Sequence, residues 1–94
     1  MISLDEYILR SDDVAWRTYD GEVVIISGDG SQIHSLNKVA SLIWELADGK
    51  AKVSDIIMGI CTRFEVEEHS ARLDAVEFIQ KLMDMHLVQL ADKS

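Results

Sequence analysis

Apolar and polar positions change period once along the chain, near residue 36. Before that point the spacing is strand-like. Val14 to Tyr19 is rich in β-branched and aromatic residues, Glu22 to Ser27 is nearly continuous in Val and Ile, and Asp20-Gly21 lies between them. Asp-Gly flanked by strand-like runs is a strong hairpin signal, because the tight primed turn needs positive φ at its centre. A two-residue turn sets Tyr19 opposite Glu22 and Trp16 opposite Ile25. Gly28-Asp29-Gly30 reads as a three-residue turn into a third strand, Ser31 to Ser35, which sets Ile33 opposite Ile25. Trp16, Ile25 and Ile33 would then form one cross-strand row on the core face of an antiparallel meander.

After Leu36 the period becomes about 3.6. Asn37 is placed to cap a helix whose apolar positions Val39, Ala40, Ile43, Leu46 and Ala47 share a face, with Gly49 as a stop just past Asp48. A second helix opens near Val53 to Asp55 and runs to about Arg63, with Ile56, Ile57, Ile60 and Phe64 inward and Cys61 beside that face. The third and longest spans about Glu67 to Met85, and the chain closes on Leu87, Val88 and Leu90. Its principal stripe is Ala71, Ala75, Phe78, Ile79 and Leu82, with Leu73, Val76 and Met83 on a flank. Two readings fit that flank: a wide core face, or the wall of a groove for an extended or amphipathic peptide. The expected architecture is α+β and winged-helix-like, a three-stranded antiparallel sheet followed by a three-helix bundle, as one domain over residues 1–94.

Composition narrows the function classes. Ninety-four residues suffice for one core and not for a Rossmann or barrel enzyme. Lys and Arg number 9 against 17 Asp and Glu, a net charge of -8. That acidity disfavours phosphate backbones and anionic membranes, which need clustered positive charge. From Glu65 to His86 six acidic residues face only Arg72 and Lys81, so the third helix would be repelled by a DNA groove. Proline is absent, leaving turns to Gly, Asp and Asn, and the single cysteine forms no internal disulfide, as expected in a reducing compartment. Met1 to Arg10 lacks the basic start and apolar run of a secretory signal, and no apolar run nears the ~20 residues of a membrane helix. The expectation is a soluble, cytoplasmic protein.

Catalytic chemistry is not legible. His34, His69 and His86 lack metal-site spacing, Cys61 has no cation in register, and the Asp12-Asp13 and Glu65, Glu67, Glu68 runs read as solvated loops or helix starts. The glycines around Asp29 lack the Gly-Lys-Ser/Thr of a phosphate cradle. No metal, no cofactor and no catalytic residue is expected.

The run Gly21-Glu22-Val23-Val24-Ile25-Ile26, then His34-Ser35-Leu36-Asn37, then Ala40-Ser41-Leu42-Ile43-Trp44-Glu45-Leu46-Ala47-Asp48-Gly49, then Val53-Ser54-Asp55-Ile56 resembles the PqqD family, the coenzyme PQQ synthesis protein D group. Asp74, Phe78 and Leu82 match its later spacing; Ala75 replaces a common valine, and Gln32-Ile33-His34-Ser35 replaces an aromatic run. The resemblance implies a non-enzymatic module of peptide natural-product biosynthesis, PQQ or a related pathway. Such a module holds the leader of a ribosomally made precursor peptide and presents it to a modifying enzyme, expected to be a radical SAM enzyme. It further implies that the leader adds as a strand to Ser31, Gln32, Ile33, His34 and Ser35 and lies against Arg72, Leu73, Val76 and Met83. The alternatives are a scaffolding subunit docked on a larger enzyme and a divergent winged-helix DNA-binding regulator.

Overall fold

The computed structural model describes Ile2–Ala91; Met1 and residues 92–94, the two ends of the expected 1–94 domain, lie outside the described residues. The order is β1 (Tyr7–Arg10), β2 (Ala15–Tyr19), β3 (Glu22–Ile26), β4 (Ile33–Ser35), α1 (Lys38–Leu46), β5 (Asp48–Lys52), α2 (Val53–Phe64), α3 (Glu68–Asp84) and β6 (Val88–Leu90). The α+β class holds, with the antiparallel meander β2-β3-β4 and three helices in place.

A second three-stranded sheet, β5-β1-β6, joins residues for which no strand was predicted. Ile8, fully buried at its centre, explains why the amino-terminal run is structural. Gly49 belongs to this sheet rather than to a helix stop. Helix α1 ends at Leu46, and Gly49, at φ +81°, absorbs the bulge between the pairs Tyr7–Lys52 and Leu9–Asp48.

The first hairpin forms as the sequence predicts. Asp20 and Gly21 take φ of 55° and 81°, both central residues of a primed turn, and pair Trp16 with Ile25 and Tyr19 with Glu22. The second turn differs by one residue. Ser27 N–H donates to the Gln32 carbonyl at 3.0 Å, so Gly28 to Ser31 form a four-residue loop and Ile25 faces His34 while Ile33 faces Ile26. The cause is local. The Asp29 carboxylate accepts from Ser31 N–H at 2.9 Å, Ser31 Oγ at 2.7 Å and Ser27 Oγ at 2.8 Å, drawing Ser31 into the loop. A one-residue slip exchanges the faces of a strand, so Ile33 points outward and is 68% exposed.

Helices α1 and α2 start at side-chain hydrogen bonds. Asn37 Oδ1 accepts from Ala40 N–H at 2.8 Å, and Asp55 Oδ2 accepts from Lys52 N–H at 3.0 Å. The buried residues form one cluster in which Ile25, Ile43, Ile56, Ile60, Ala75, Ile79 and Leu82 meet. Trp44, outside the predicted stripe, is fully buried because α1 is covered on more than one side. Trp16 meets its ring edge-to-face with centroids 6.1 Å apart, and the Arg10 guanidinium lies 5.0 Å from the Trp16 ring centroid. Arg10 also donates to the Trp44 and Glu45 carbonyls, both at 2.9 Å, satisfying acceptors that the end of α1 leaves open.

Candidate functional site

The site begins with the alternation of the β4 backbone. In an antiparallel ladder successive residues direct their N–H and C=O groups to opposite sides. Leu36 N–H donates to the Val23 carbonyl at 2.9 Å and the Gln32 carbonyl accepts from Ser27, so residues 32, 34 and 36 face β3. Ile33 and Ser35 therefore direct their N–H and C=O groups away from the sheet. Strand β4 pairs only with β3, and among the described residues its other border carries no strand. An unpaired border of this kind is a template for an added strand.

Ser41 anchors the end of that border. Its side chain is buried at 2% exposure, its Oγ accepts from Val23 N–H at 2.7 Å, and it donates to the Leu36 carbonyl at 3.3 Å. The hydroxyl thus takes the place of a direct ladder bond between the Val23 N–H and the Leu36 carbonyl. Asp29 organises the opposite end. The hydrogen bonds from Ser31 N–H, then Ser31 Oγ and Ser27 Oγ, hold its carboxyl down at about 2 from the ordinary 3.8.

Strand β4 leads through Leu36 into a cleft of about 300 Å³ between the start of α1 and α3, lined by Asn37, Val39, Ala40, Ile43, Asp74, Glu77 and Phe78. Val39, Ile43 and Phe78 give it an apolar floor, and Asp74 and Glu77, both exposed, an acidic rim. The expected helix flank divides at this point. At about 100° per residue, Leu73 falls on the outer face of α3, roughly opposite the buried stripe, whereas Arg72, Val76 and Met83 fall on the shoulder away from the cleft. None of these four lines the cleft. Leu73 is 58% exposed, Arg72 is exposed and forms an ion pair with Glu68 at 3.3 Å, and Val76 and Met83 are half-buried. Sequence reasoning missed Asp74 and Glu77 as lining residues. The usable signal was their 3-residue spacing beside Phe78, which puts all three on one side of α3.

Of the expected strand residues, Ile33, His34 and Ser35 lie in β4, Gln32 precedes it and closes the turn by pairing with Ser27, and Ser31 belongs to the turn. His34 is half-buried on the inner face opposite Ile25. Among the described residues no group of three or more His, Cys, Asp or Glu side chains is arranged to hold a metal ion, and no helix is long and apolar enough to cross a membrane.

Comparison with known proteins adds three findings. The family model described as Coenzyme PQQ synthesis protein D (PqqD) matches residues 22–88, more than half of the chain. The solved structure of TbiB1 in complex with the TbiA(beta) leader peptide is similar at TM-score 0.76 and 26% identity, covering 92% of this chain and 98% of that one. Lasso peptide synthetase B1 complexed with the leader peptide shares the fold at TM-score 0.73 and 22% identity, covering 87% and 96%. No curated protein matches.

Proposed function

The chain belongs to the PqqD family, and on that premise we propose that it is a non-catalytic carrier that binds the leader of a ribosomally made precursor peptide and presents it to a modifying enzyme. The observation that supports this most is the open border of β4, with the backbone groups of Ile33 and Ser35 directed outward beside an apolar cleft. The similarity to TbiB1, solved with a leader peptide, gives the same reading independent support.

An extended leader would pair with Ile33 and Ser35 and pass toward the cleft, its apolar side chains over Val39, Ile43 and Phe78. Each ladder hydrogen bond is worth about 0.5–1.5 kcal/mol net, so four of them fall short of useful affinity once the cost of association is met. One leader Leu, Ile or Phe buried on the cleft floor adds roughly 1.5–3 kcal/mol. Backbone pairing supplies direction and the cleft supplies choice among sequences. Arg72, Leu73, Val76 and Met83, away from the cleft on α3, are reserved in this reading for a long leader that wraps the helix. The modifying enzyme is expected to be a radical SAM enzyme, and PQQ is one of the pathways the family serves.

Calorimetric titration with the leader of the precursor encoded in the chain's gene neighbourhood tests the reading. Saturable one-to-one binding supports it. A leader that shows no heat and no spectral change at about 1 mM, where binding energy falls below about 4 kcal/mol, refutes it.

A further inference from the structure

The leader reading occupies β4 and the α1/α3 cleft and leaves a different depression unused. On the side of α2 away from α1, a groove of about 410 Å³ is lined by Leu4, Ser54, Ile57, Met58, Cys61, Thr62, Val66 and Glu68. It shares no residue with the cleft, and its walls are more apolar. Met58 is 67% exposed and Val66 40%, two large apolar side chains open to solvent in one groove. On α2 the lining residues Ser54, Met58 and Cys61 follow helical spacing with Ile57 beside them, so the groove runs along the helix, with its apolar part at Ile57, Met58 and Cys61.

Charge identifies the occupant. The lining contains no Lys or Arg, and Glu68 is its one charged member. In the chain, Asp5, Asp55, Glu65 and Glu67, all exposed, adjoin the lining residues Leu4, Ser54 and Val66, while Arg63, which adjoins Thr62, lines a separate depression with Phe64. Arg72, the nearest cation on α3, is already engaged by Glu68. We propose that this groove is the docking site for an amphipathic helix of the modifying enzyme, one that presents two or three apolar side chains at i, i+3 and i+4 flanked by Lys and Arg. A second copy of this acidic chain fits poorly, because its own carboxylates would meet the same rim. The leader is not the occupant, since a carrier that presents its cargo must hold cargo and enzyme at once, on separate surfaces. The inference extends the carrier reading and supplies its second interface.

Cys61 is the chain's single cysteine, half-buried in the groove wall, and serves as a reporter. The full chain is treated with a fluorescent maleimide alone, with saturating leader peptide, and with the purified modifying enzyme from the same gene neighbourhood. The enzyme is expected to slow Cys61 labelling by about fivefold or more, and the leader to leave it unchanged. Met58→Glu, at an exposed position, is expected to weaken enzyme binding by about tenfold or more while leader affinity stays within about twofold. Raising NaCl from about 50 to about 500 mM is expected to weaken the enzyme complex of the wild type. Three results overturn the inference: an enzyme complex in which Cys61 labels at the free rate, protection of Cys61 by the leader, or protection by self-association at rising protein concentration. If Met58→Glu fails to fold, the labelling experiment on the wild type decides alone. Failure of leader binding with retained enzyme protection would refute the carrier reading and leave the docking site standing as a scaffold contact.

Discussion

Replacing Ser35 by proline separates the border of β4 from its inner ladder. The Ser35 N–H faces outward and makes no ladder bond to β3, so proline removes only the group an incoming strand would use. Proline is tolerated on an edge strand in that orientation, and His34 before it is already extended. The free protein is therefore expected to keep its fold, with stability changed by no more than about 1 kcal/mol. Leader binding responds differently. One ladder bond worth about 0.5–1.5 kcal/mol disappears, and the leader carbonyl that had faced it is left without a donor, at about 1–3 kcal/mol. A combined loss of about 1.5–4.5 kcal/mol corresponds to a roughly 10- to 2,000-fold weaker dissociation constant. Calorimetry with the leader peptide reads this directly, with Ser35→Ala as the control expected to stay within about twofold. A Ser35→Pro protein that is folded and binds the leader within about threefold of wild type refutes strand addition at this border.

Further expected outcomes concern the groups that hold the border in place. Ser41→Ala leaves the Val23 N–H buried without a partner, so chemical denaturation should show a loss of about 1–3 kcal/mol, against little loss for Ser41→Thr if its hydroxyl reaches the same atoms. Arg10→Met removes two hydrogen bonds to the end of α1 and the cation over Trp16, and thermal unfolding should fall by roughly 4–16 °C for a cost of about 1–2 kcal/mol. The Asp29 carboxyl, depressed in the folded state, contributes stability that is fully present above its ordinary 3.8 and is lost as pH falls through about 2. An NMR titration should place its midpoint near 2, with the Ser31 amide shift following it; a midpoint near 3.8 would show that the turn does not hold this carboxylate. At Gly28 any side chain would collide with the Asp13 carbonyl oxygen, so Gly28→Ala should destabilise by more than about 1 kcal/mol in the same denaturation assay.

The parts of this fold that were legible in the sequence are those in which local chemistry determines the result. Asp20-Gly21 admits few turns, and Asn37 followed by a 3.6-period run admits few helix starts; both appear as expected. The β5-β1-β6 sheet was not legible, because each strand is short and finds its partner far along the chain; Ile8 pairs with Leu90 across 82 positions. The register of β4 turned on whether Ser31 belonged to strand or loop. That is decided by three hydrogen bonds to one carboxylate, which neither periodicity nor glycine placement reveals. The same slip moved Ile33 to the outer face and His34 to the inner one. The candidate site was legible in outline, as a third strand followed by helices. Which shoulder of α3 meets α1 depends on helix packing, and the cleft therefore draws on Asp74, Glu77 and Phe78.

Amide hydrogen exchange, followed residue by residue as the leader is added, tests strand addition most directly. The Ile33 and Ser35 amides, which face solvent in the free protein, should slow by about tenfold or more at saturation, while His34, already paired with β3, changes less. Saturable binding that leaves Ile33 and Ser35 exchanging at their free rates would contradict it.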